Sequence, residues 1–306
     1  METHHHDHGH DHLHSLTVEQ ASNKAFQIGI LLNLIYVIVE LISGFLTHSL
    51  ALISDAGHNF SDVVGLALSL LAFKLARIRP TAKFTYGYKK TTILVALVNA
   101  VILLVSIGIL GFETVVRLAH PIFVEGGSVA LIAAIGIVIN ALSALMFYKT
   151  QKDELNAKAA YLHLMVDALV SVGVVVAGII IKYTGWYLAD PLISLIILIV
   201  ILAGTWRLLT ESLQLSLDAV PKDISLEKVQ EIIVSKNGVD GVHHIHVWAM
   251  STTENALTAH VIINQALAED TRVRLIKEIK HDLLHYNIQH ATLEIEVEDA
   301  CKDKQC

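Results

Sequence analysis

Six stretches of this chain, at approximately 25–46, 50–73, 91–113, 128–148, 160–181 and 187–209, are apolar almost throughout. Each is long enough to cross about 30 Å of hydrocarbon as a helix, which takes roughly 20 residues at 1.5 Å apiece. Hydrocarbon offers backbone N–H and C=O groups no partners, so a spanning segment must satisfy them internally. Runs of this length do so as helices rather than as barrel strands. Composition supports the same class. The chain is 54% hydrophobic and 17% charged, against about 25% charged in soluble domains. It is too apolar to stay disordered. A net charge of -7 lacks the basic footprint of a nucleic-acid binder, so no nucleic-acid partner is expected. The expected fold is an α-helical membrane protein with six transmembrane helices and the lipid bilayer as its solvent.

The first apolar run follows an acidic, His-rich head, METHHHDHGHDHLH, and so does not read as a cleavable signal peptide. Orientation follows from the basic residues of the loops. Lys74, Arg77, Arg79, Lys83, Lys89 and Lys90 lie between spans two and three, and Lys149, Lys152 and Lys158 between spans four and five. The alternate loops offer only Arg117 and Lys182. Both termini are therefore expected in the cytoplasm, with the bacterial cytoplasmic (inner) membrane as the expected location.

After Arg207 the sequence becomes that of a soluble domain. Ser225–Asn237 reads as an amphipathic helix with Ser225 as its N-cap, and Thr271–Tyr286 as a second helix. His243–Met250, Ala256–Ile263 and Ala291–Val297 read as strands. The order αββαβ gives a small cytoplasmic α+β layer with helices on one face. The expected division is a His-rich segment over 1–22, a membrane domain over 23–212, an α+β domain over 213–298 and a Cys-containing tail over 299–306. Histidine is in excess, with 18 copies, and His4, His5, His6, His8, His10, His12 and His14 all fall in the head. Such a segment is either a loose metal binder or a solvated tail. Cys301 and Cys306 are the only cysteines. They form no disulfide framework and are either soft ligands or part of a plain tail.

An ionisable side chain at mid-bilayer costs about 2.5–3.5 kcal/mol or more, so each one demands a reason. Span two carries His58 and Asp62 in SDAGHNFSD, and span five carries His163 and Asp167 in YLHLMVDAL. Both are His-x-x-x-Asp units, which place two side chains one turn apart on one helix face. Opposed, the two faces offer a nitrogen and oxygen set suited to tetrahedral zinc. With neutral imidazoles the set carries two negative charges, which a divalent cation cancels and protons can replace. Competition between metal and proton for one site is what an exchanger needs. Asp55, one turn before His58, is either a supporting acceptor or a residue near the membrane face. Asn33, Glu40, Asn99 and Asn140 lack ligand spacing and read as hydrogen-bond partners between helices, or as lining of a water path.

With these residues the chain resembles the cation diffusion facilitators, in particular the zinc-transporting branch with its CzcD-, ZitB- and ZnT-like members. SLALISDAGHNFSDVVGLALSLLA and GVHHIHVWAMS carry the resemblance, which covers nearly the whole chain outside the head and extreme tail. It implies a homodimeric, proton-coupled antiporter exporting Zn2+ by alternating access, with protons as counter-substrate. It places the transport ligands on His58, Asp62, His163 and Asp167. It implies a metallochaperone-like cytoplasmic domain with a structural or regulatory zinc at His243, His260 and Glu296. Glu294 competes with Glu296, and His244 and His246 compete with His243. His244 is expected to face away from His243 and His246. Lys90 and Asp218 match a pair that acts as a hinge salt bridge. The loop ARIRPTAKFTYGYKK lacks the Asp and His of a further metal site found in some relatives.

Other classes fit less well. A metallohydrolase needs an open zinc position and a general base, and the chain has no HExxH, no GxSxG and no glutamate beside either unit. A channel needs several weak sites in a row. A membrane metal sensor without transport needs an effector motif. An exchanger selective for Co, Ni, Fe or Cd stays open, because ligand type alone does not exclude those ions.

Overall fold

The computed structural model describes residues 24–147, 155–265 and 267–297. The head histidines His4, His5, His6, His8, His10, His12 and His14, and Cys301 and Cys306, lie outside the described residues. Every apolar run is helical: α1 (Lys24–Thr47), α2 (Leu50–Ala76), α3 (Thr91–Ala119), α4 (Gly126–Phe147), α5 (Leu155–Thr184) and α6 (Ala189–Ser216). Among the described residues, four stretches are long and apolar enough to cross a membrane: Thr91–Ala119, Gly126–Leu145, Leu164–Thr184 and Ala189–Ser216. The chain divides into two compact units, one of residues 1–66 and 99–206, the other of 67–98 and 207–306.

In the first unit α4 and α5 are the most intimately paired helices. The reason is glycine: a Cβ on Gly178 would lie 2.7 Å from the carbonyl oxygen of Gly126, and one on Gly126 would lie 2.5 Å from that of Gly178. The two backbones touch, as small residues allow between membrane helices. Inside, Ala51, Leu52, Val129, Ala133, Val174, Ala177 and Ile181 form a tight core. Outside, Leu46, Ile109 and Phe112 are exposed, as expected where hydrocarbon rather than water is the solvent.

The start of α2 is fastened by α6. Asp190 accepts hydrogen bonds from the Ser49 hydroxyl, from the Leu50 N–H at 2.7 Å and from the Ala51 N–H at 3.3 Å. These N–H groups belong to the first turn of α2 and have no partner within the helix. His48, just before them, is left-handed at φ 57°, which lets the chain reverse between α1 and α2.

The C-terminal part of the second unit runs α7 (Leu226–Val234), β1 (Val239–Ala249), β2 (Asn255–Ile263), α8 (Glu269–His285) and β3 (His290–Glu296). The Ser225 hydroxyl accepts from the Lys228 N–H at 3.2 Å and caps α7, as its sequence position predicts. The sheet has the order β1-β2-β3. β1 pairs antiparallel and β3 parallel with the central β2, and α8 provides the crossover that a parallel pair requires. Leu257, Ala259, Val261 and Ile263 of β2 pack into one core with Val229 and Ile233 of α7 and Leu275, Ile279 and Leu283 of α8. Burying one such side chain stabilises the fold by about 1.5–3 kcal/mol. The alternate residues of β2, Thr258, His260 and Ile262, occupy the other face.

Alternation along β1 is broken by a bulge. The register passes from His243 opposite His260 to His246 opposite Thr258. Three steps on β1 thus oppose two on β2, and His244 absorbs the extra residue in a left-handed conformation, φ 51°, as bulges do. Val242 and Ile245 therefore both pack against the core, and His243 and His246 share the opposite face.

Candidate metal centres

The membrane centre is built by α2 and α5. His58 Nε2 lies 3.9 Å from Asp167 Oδ1, with the His58 side chain 22% exposed and that of Asp167 2%. Ligands held at about 2.0–2.1 Å by one tetrahedral ion lie about 3.3 Å apart, so a sub-ångström adjustment brings both atoms onto one cation. Asp62 and His163 lie on the same two helices, and their side chains lie outside the described ones.

Asp55 is fully buried and accepts a hydrogen bond from the Ser171 hydroxyl of α5 at 3.0 Å. Of the two readings open for Asp55, burial and an interhelical partner favour the supporting acceptor. Glu40 is fully buried and accepts from the Tyr36 hydroxyl at 2.8 Å. Asn99 lies against Gly65 of α2, and the buried Asn140 amide has no hydrogen-bond partner among the described residues. Ser171 and Tyr36 escaped the sequence reading. Each lies one turn from an acid already singled out, Asp167 and Glu40, and that spacing was the available signal.

The second centre lies on the face of the sheet away from the helices. Glu296 reaches across the central strand, with Oε2 2.9 Å from His243 Nε2 and Oε1 2.7 Å from His260 Nδ1. One donor atom from each residue lies within 4.8 Å of the others. Hydrogen bonds from His243, then from His260, hold the Glu296 carboxyl below the usual carboxylate range. Glu294 lies 3.4 Å from His260 Nε2 but its side chain is 68% exposed, so Glu296 is the more engaged carboxylate. His243 Nδ1 is buried without a hydrogen-bond partner among the described residues. Two imidazoles and one carboxylate fit a zinc site with an open position.

His244 departs from its expected place. Its ring lies 5.2 Å from that of His243, 4.8 Å from that of His260 and 6.2 Å from that of His246. The left-handed bulge residue turns its side chain toward the same cluster instead of the opposite face.

Lys90 forms an ion pair with Asp218, so the structure brings that candidate pair together. It is accompanied by Lys89 with Glu254 and by the Thr252 N–H donating to the Thr92 hydroxyl at 3.0 Å. These two companions had no signal in the sequence.

Residues 26–215 match the cation efflux transmembrane domain, and residues 221–298 match the cytoplasmic domain of cation efflux proteins. The chain belongs to the cation efflux family. A cadmium, cobalt and zinc/H(+)-K(+) antiporter of Bacillus subtilis is 35% identical over 92% of this chain and 91% of its own length. The metal cation efflux system protein CzcD of Cupriavidus metallidurans is 36% identical over 96% of this chain and 90% of its own. The zinc transporter ZitB of Escherichia coli is 36% identical over 89% and 86% respectively. As a cation efflux protein the chain is a transporter rather than an enzyme.

Proposed function

We propose that this chain is a proton-coupled antiporter that moves zinc out of the cytoplasm by alternating access. The observation that carries the reading is the approach of His58 on α2 to Asp167 on α5 inside an apolar helix bundle, at 3.9 Å. The names of the relatives support it: one is a zinc transporter and another a cadmium, cobalt and zinc/H(+)-K(+) antiporter. Zinc enters from the cytoplasm and is held by His58, Asp62, His163 and Asp167. Once the site opens to the other side, protons neutralise the carboxylates and displace the ion. The proton-loaded site then returns inward.

In this reading the bundle has six spans with both termini in the cytoplasm of a bacterial cell, lodged in the inner membrane. The membrane domain occupies residues 23–212 and the cytoplasmic αββαβ domain residues 213–298. The protein works as a homodimer, in keeping with a match to a domain type named for dimerisation. Zinc on His243, His260 and Glu296 biases the dimer toward its transport-competent arrangement, which requires tighter binding to that arrangement than to others. Lys90 and Asp218 act as a hinge. The head histidines and the tail cysteines add loose metal-binding capacity.

The deciding experiment uses liposomes holding the purified protein with zinc- and pH-sensitive dyes inside. Under an imposed pH gradient, zinc flux with opposite proton movement is expected, and its loss in Asp62→Ala and Asp167→Ala. Wild-type flux in either variant would displace the site. Flux indifferent to the gradient indicates a channel. Cadmium and cobalt run in parallel, because a relative is named for both; a preference for either over zinc would reassign the cargo within the same exchanger type.

A further inference from the structure

Away from the sheet face, α8 carries a second pair of imidazoles. His281 and His285 lie one turn apart, their Nε2 atoms 3.1 Å from each other and their rings edge to face at a centroid distance of 4.5 Å. Two nitrogens bound to one ion at about 2.0–2.1 Å lie about 2.9 Å apart at a right angle and about 3.4 Å apart at a tetrahedral one. The observed spacing falls inside that window. It needs no rearrangement of the backbone, because Ile279 and Leu283 on the other side of α8 are buried in the core and hold the helix in place.

Electrostatics at this spot favour a cation. His285 ends α8, where the last carbonyls give the helix its negative pole. The Asp282 carboxylate interacts electrostatically with both imidazoles and is itself held by Lys236. Both histidines are exposed, so coordination positions not filled by the protein face water.

We propose that His281 and His285 form a solvent-facing site for a divalent cation of the zinc, cobalt or nickel class, separate from the centre at His243, His260 and Glu296. With two protein ligands and the rest water, it takes up and releases metal readily instead of holding it as a structural ion, since structural zinc sites are closed by four protein ligands. The proposal does not depend on the direction or coupling of transport.

The test is amide hydrogen–deuterium exchange of the full-length protein in detergent, with and without zinc, followed in peptides covering the end of α8. An ion bridging His281 and His285 clamps the last turn. At free zinc about tenfold above the dissociation constant, exchange there slows about tenfold. The zinc-dependent slowing is expected to vanish in His281→Ala and in His285→Ala and to persist in His243→Ala. A zinc effect that survives in the His281→Ala/His285→Ala double variant overturns the proposal. So does its loss in His243→Ala, which assigns the effect to the sheet, and so does the absence of any zinc effect in the wild type.

Discussion

Asp190 shows how much a single carboxylate can organise. It accepts from the Ser49 hydroxyl and from the first N–H groups of α2, and α2 is the helix that carries His58 and Asp62. Truncation to Asp190→Ala removes a cap, at about 0.5–2 kcal/mol, and leaves buried donors without acceptors, at about 1–3 kcal/mol for each. The detergent-solubilised variant is expected to melt well below the wild type, with Asp190→Asn in between because one acceptor oxygen remains. An unchanged melting temperature for Asp190→Ala would mean that water replaces the carboxylate. At this scale the sequence was legible where chemistry is local. Two His-x-x-x-Asp units announce themselves, because a four-residue step on a helix fixes a shared face. Asp190 did not announce itself, since its partner Leu50 lies 140 positions away. Pairing at that range depends on how helices pack, which no spacing encodes.

At the scale of elements, hydrophobic period located the helices and strands to within one or two helical turns, and β1 is where an expectation failed, at His244. His243 and His246 share a face, as expected, because the bulge inserts a residue between them, where strict alternation would part them. Nothing in HHIH marks the insertion point, because histidine tolerates the left-handed region better than most side chains. The conformation of His244, φ 51°, supplies a test. A β-branched residue there meets the full steric cost of the left-handed region, whereas glycine meets none. His244→Val is expected to be less stable than His244→Gly by about 1–2 kcal/mol, read as the difference in midpoint in denaturant titrations of the two full-length variants. Equal midpoints would mean that the bulge can migrate along β1. Migration would separate His243 from Glu296, so the zinc binding proposed for the sheet should weaken with it.

For the molecule as a whole, the question is what the polar contacts around Lys90 accomplish. The side chains of Lys90 and Asp218 are 41% and 58% exposed, and an ion pair so exposed adds only about 0–1 kcal/mol to stability. If the pair merely held the fold, its loss would pass almost unnoticed, because Lys89 with Glu254 and Thr92 with Thr252 fasten the same region. A hinge is different: the pair then fixes a pivot, and its worth lies in rate rather than stability. Lys90→Asp places two carboxylates face to face and is expected to slow zinc flux into liposomes severalfold while the melting temperature barely moves. Adding Asp218→Lys restores an attractive pair with the signs exchanged, and most of the flux should return. Rescue by the double variant requires that the two side chains meet during the working cycle, because a nonspecific effect of charge at either position would accumulate instead. Flux that stays low in the double variant, with stability intact, would leave Lys90 a contact for lipid or for the loop, and would move the pivot to Lys89 and Glu254.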